Sequence, residues 1–158
     1  MDCAVAFEGF YVSRQYIVKE MTIYFDNDNY QHFMFNNPDH LEFSTVPSYV
    51  FDRTVKYAQR LNGLSPGNDY FLPYSVIGTI VAKIKNNKIY TAGNQATKVL
   101  RRYLVDAEIV DICDAFHFKY ARELPPVPCF KRHPPRYCSL AKSIIIKNTV
   151  DKMCQDLL

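Results

Sequence analysis

Residues 17–36 read IVKEMTIYFDNDNYQHFMFN, and this stretch decides the fold. Residues 17–25 are rich in β-branched and aromatic side chains, which suit a pleated, half-buried strand. Asp26-Asn27-Asp28-Asn29 is a run of turn formers whose short side chains bond their own backbone. Residues 30–36 then alternate in polarity, so the chain is expected to fold back as a hairpin.

Upstream, 3–12 (CAVAFEGFYV) is a strand of small and aromatic residues followed by a turn at 13–16, which completes a three-strand meander. Downstream, Asn37-Pro38-Asp39 ends the sheet segment. A helix is predicted over 48–61, where Phe51, Val55, Ala58 and Leu61 recur at helical spacing, and Asn62-Gly63 stops it because Gly63 tolerates positive φ. A loop at 65–69 leads to a second helix over 75–85, with Ser75 as its N-cap. A short strand at 88–91, a helix over 95–104 and a strand at 108–112 follow, with Cys113, Asp114 and His117 at that strand's end. A proline-rich stretch (Pro125, Pro126, Pro128, Pro134, Pro135) precedes a last helix from Tyr137. The order implies an α/β domain with a mixed sheet flanked by helices.

No repeat or linker interrupts the 158 residues, so a single domain over 1–158 is expected, with 48% hydrophobic residues to fill its core. No basic, apolar leader and no long apolar run are visible, and the five cysteines are an odd number. These features predict an intracellular protein, cytoplasmic or nuclear, with reduced thiols and no membrane span. The net charge of +3 is uneven: residues 1–80 carry 5 Lys/Arg against 9 Asp/Glu, and residues 81–158 carry 14 against 7. A basic half suits a polyanionic partner, although solvated surface charge gives the same count. His32 and His40 read as ordinary surface or turn residues.

In this order the segments resemble the DnaQ-type 3′–5′ exonuclease branch of the RNase H-like fold. LNGLSPGNDYFLPYSVIGTIVAKIKN is similar to that family's His-Gly-Ile segment, with Asn62 in place of the His. KIYTAGNQATKVL is similar to its second metal-binding motif, and HPPRYCSLAKS to its closing His-x4-Asp motif. Two-metal hydrolysis needs a set of acidic residues around paired cations. Here the first motif offers only Glu8, Lys98 stands near the second Asp position, and Cys138 replaces the last Asp while His133 is kept. The resemblance thus implies a degenerate active site and argues against a two-metal nuclease.

A thiolate in that place suits Zn²⁺ better than Mg²⁺, and the pattern resembles the Maelstrom domain, an exonuclease-like fold carrying a Glu-Cys-His-Cys zinc site. The resemblance implies Glu20, Cys129, His133 and Cys138 as ligands, with the His spacing shifted by one. The alternative is two buried cysteines, a surface histidine and a solvent-facing Glu20. Lys98, Arg101, Arg102, Lys131, Arg132 and Arg136 gather on the segments that the fold brings together, which suits single-stranded RNA; a solvated helix face is the competing reading. The leading expectation is therefore an RNA-binding or protein-binding module with a structural zinc. The alternatives are an active nuclease using non-standard residues near His133, and a pure protein–protein interaction domain of viral or mobile-element origin.

Overall fold

The computed structural model describes residues 1–121, 124, 127 and 133–157. The meander forms as the sequence predicts. Strands β1 (Asp2–Val12), β2 (Gln15–Asp26) and β3 (Asn29–Met34) pair antiparallel in succession. β4 (Lys88–Thr91) lies parallel to β1, and β5 (Ile109–Asp111) parallel to β4, giving the order β3-β2-β1-β4-β5. β1 is central and covered on both faces, which is why nearly all of it is apolar.

Alternation assigns the two faces. Cys3, Val5 and Phe7 pack with Ile77, Val81, Val99 and Leu100. Ala4 and Ala6 pack with Tyr90, Ile112, Ile146 and Val150. Small residues at 4 and 6 leave room for the long closing helix, α6 (Ser139–Asp156), to lie close on the sheet. A bulge then shifts the register, so that Glu8 pairs with Glu20 but Gly9 pairs with Val18. A Cβ at residue 9 would sit 1.9 Å from the Ile17 carbonyl oxygen, so the strands approach this closely only at glycine. The bulge leaves Glu8, Glu20 and Thr22 facing α6 and turns Tyr16 and Val18 to the opposite layer.

Between β3 and β4, α1 (Ser48–Val50) continues through a π-helical segment, Phe51–Lys56, into α2 (Tyr57–Asn62), stopped by Gly63 at φ 67° as the sequence predicts. α3 (Ile77–Ala82) is shorter than the expected 75–85, and Ser75 does not cap it. Pro73 instead starts a 3₁₀ turn, Tyr74–Val76, whose backbone leads into the helix. α4 (Asn94–Tyr103) matches the prediction closely. The strand expected over 108–112 ends early: Ile112–Phe116 forms α5, because the Asp111 side chain accepts from the Cys113 amide and caps a helical turn. Among the described residues no helix is long and apolar enough to cross a membrane.

Candidate metal centre and groove

Glu20 reaches the underside of α6 because, beyond the bulge, it shares a face of β2 with Thr22, whose Oγ1 lies against Ser139 at the helix start. The residue is fully buried. Its Oε1 accepts the Ser139 amide at 2.5 Å, one of the unpaired N–H groups at the start of α6. Its Oε2 lies 3.3 Å from Nε2 of His133 and 3.3 Å from Nε2 of His32. Burial pushes the Glu20 carboxyl up, but the two histidines and the Ser139 amide outweigh it and hold the group below the usual carboxylate range. A buried carboxylate is thus kept ionised.

His133 is oriented from behind. Its Nδ1 lies 2.6 Å from the Asn62 carbonyl oxygen, which can only accept, so Nδ1 carries the proton and Nε2 faces Glu20. Asn62 is itself fixed, with its amide donating to Gly9 O at 3.1 Å and its Oδ1 accepting from Leu64 N at 3.0 Å. Cys138, fully buried, is the residue just before α6. Donor atoms of Glu20, His133 and Cys138 all lie within 4.8 Å of one another. Oxygen, imidazole nitrogen and sulfur in one buried cluster can hold a metal ion. Glu20 Oε2 also fits that use, being a buried oxygen that accepts no hydrogen bond of good geometry among the described residues.

Three of the four expected ligands are thus together, joining β2 to the start of α6; Cys129 lies outside the described residues. The surface reading of His32 is corrected: its side chain is only 10% exposed and it packs against the cluster.

The basic residues divide. Lys98 is exposed on a hollow of about 360 Å³ that Arg14 and Arg102 also line. Arg102 Nη1 is 3.4 Å from Tyr16 O. Arg101 instead binds the carbonyls of Val105 and Ala107 at 3.1 and 2.7 Å, closing the end of α4. Arg136 reaches Ala121 O at 3.4 Å on the surface and does not line the Lys98 hollow, and Lys131 and Arg132 lie outside the described residues. Arg14 is an addition to the expected set. Ser13 and Arg14 form a two-residue hairpin loop with φ of 48° and 68°, so the turn holds an arginine in a left-handed conformation.

That hollow adjoins two others, of about 360 and 150 Å³, and all three share Tyr16 and Gln95. The middle one is walled by Arg53 and Thr54 of the π-helical segment and by exposed Tyr11 and Tyr57. The innermost ends on Glu8, whose Oε1 is 2.5 Å from Lys142 Nζ. Sharing these residues, they line one groove that is basic and aromatic outside, with buried Glu8 paired to half-buried Lys142 at its floor. No protein-family profile, curated protein or solved structure matches the chain.

Proposed function

We propose that this chain is a catalytically silent RNase H-like domain that binds single-stranded RNA in the Arg14–Lys98–Arg102 groove and is stapled by a zinc ion at Glu20, His133 and Cys138, with Cys129 as the remaining ligand. The strand order with its antiparallel β2, followed by α4 and α6 on opposite faces, supports the RNase H-like reading. The observation that carries the functional reading is the groove itself. Cations track a phosphate backbone, and Tyr11 and Tyr57 offer rings on which bases stack without regard to sequence. At its floor, where two-metal hydrolysis would require several carboxylates, Glu8 faces the ammonium of Lys142.

Two outcomes are expected. In anisotropy titrations with a single-stranded RNA, the R14A/K98A/R102A protein binds on the order of tenfold more weakly. Its plot of log K against log salt flattens by ~0.7 for each phosphate that is no longer neutralised. R101A, whose side chain closes α4, keeps wild-type RNA affinity. If the triple variant binds as tightly as wild type, the groove is not the RNA site. Incubation of labelled RNA with protein and Mg²⁺ or Mn²⁺ is expected to leave the 3′ end intact; trimming that E8A abolishes would refute the silent reading.

A further inference from the structure

Glu20 is approached at 3.3 Å by His32, a residue outside the ligand set expected from the sequence. In the β2–β3 hairpin, Thr22 pairs with His32 and Glu20 with Met34. His32 therefore stands diagonally across from Glu20 on the same face of the sheet, a separation that a long side chain spans. That face is pressed against α6, where Thr22 Oγ1 lies 2.8 Å from Ser139 Oγ. The imidazole of His32 is thus confined beneath the helix start, with Nε2 3.3 Å from Glu20 Oε2. Among the described residues the three mutually close donors are those of Glu20, His133 and Cys138, and His32 stands outside that set.

Resting on the metal reading above, we infer that His32 is a positioning residue of the metal centre, holding the Glu20 carboxylate in the rotation from which it ligates the ion. The carboxylate has two ends to fix. Oε1 is tied by the Ser139 amide, which belongs to the same helix start as Cys138. Oε2 faces both the metal-binding nitrogen of His133 and the ring of His32. Without His32, Oε2 keeps among the described residues its contact with His133 alone, and the carboxylate is freer to turn its second oxygen away from Cys138. Partners that orient a ligating group typically set metal affinity by about 10–100-fold.

The test uses the full chain and metal salts alone. Zinc affinity is measured by competition with a chromophoric chelator for wild type, H32F and H32Q, and the ligand set is read from the visible absorption of the Co²⁺ forms. Phenylalanine keeps the ring's bulk without its nitrogens. H32F is expected to bind one ion about 10–100-fold more weakly with an unchanged cobalt spectrum. H32Q, whose amide can reach the carboxylate, is expected to recover part of the loss. H32F with wild-type affinity would overturn the inference. A lost site or an altered cobalt spectrum would also overturn it, by making His32 a ligand. Wild-type protein that takes up no zinc would refute the underlying metal reading instead, an outcome distinct from either. Should H32F fail to fold by circular dichroism, H32A carries the same comparison.

Discussion

H133A is expected to abolish zinc binding and to lower the melting temperature of zinc-loaded protein by on the order of 10 °C. The magnitude follows from linkage. A ligand that binds only the folded state at a thousandfold excess over its dissociation constant adds about 4 kcal/mol. In a domain of this size each kcal/mol shifts the midpoint by about 2–4 °C. The effect is large because the proposed ligands would join distant parts of the chain: Glu20 lies in β2, while His133 and Cys138 lead into α6, whose Ser139 is 119 positions from Glu20. A metal there fixes the helix that covers one face of the sheet. Stripping the metal from wild type with a chelator is expected to reproduce most of the shift, whereas H133A is insensitive to the chelator. That pair of measurements separates the metal's contribution from His133 packing and its bond to Asn62 O. Because thiolate ligation must displace a proton, metal uptake weakens as pH falls. A chelator that leaves the wild-type melting curve unmoved would show that no metal staples the fold.

How much of this is legible in the sequence depends on whether the signal is local. The meander is legible, because the 26–29 turn and the alternation on either side fix the hairpin without reference to the rest of the chain. Gly63 as a helix stop and the 88–91 strand are legible for the same reason. The placement of His32 is hidden by a register shift. Regular pairing from the Asp26–Asn29 closure would set residue 22 opposite 33 and turn His32 to the other face; the shift between Tyr24 and Asp26 gives 24–30, 22–32 and 20–34 instead, which set His32 diagonal to Glu20 on one face. Its polarity also points to the surface. Arg14 is hidden because a left-handed two-residue loop ordinarily advertises itself with Asn-Gly, and here it is Ser13-Arg14. Arg101 and Lys98 look alike in sequence, three residues apart on α4. Only the path of the chain after Leu104 shows that one of them closes the helix end while the other faces the groove. The Glu8–Lys142 pair is set by how α6 lies across β1, which no local pattern encodes.

That pair yields the second large effect. K142M is expected to destabilise the protein by about 3 kcal/mol near neutral pH, because removing one partner leaves a buried charge uncompensated. Glu8 is 7% exposed, and Lys142 Nζ lies 2.5 Å from its Oε1 and 5.6 Å from the centre of the Tyr120 ring. Burial raises the Glu8 carboxyl above its ordinary value; Lys142 works against that rise and does not cancel it. A group whose folded-state value is raised favours folding while protonated, and that advantage is lost as pH climbs through the folded-state value. Without Lys142 the folded-state value climbs further, so more stability is lost at neutral pH, while both proteins converge once Glu8 is protonated. The deficit of K142M against wild type should therefore shrink as pH falls from 7 towards the carboxylate range. E8Q removes the charge that needs compensation, and E8Q/K142M should regain most of what K142M loses, since replacing both members of a buried pair is often near neutral. Urea unfolding of the four proteins at pH 7 and pH 5 completes the cycle. A K142M deficit below about 0.5 kcal/mol that does not change with pH would place the pair among solvent-screened surface contacts, and the floor of the groove would then hold no desolvated charge.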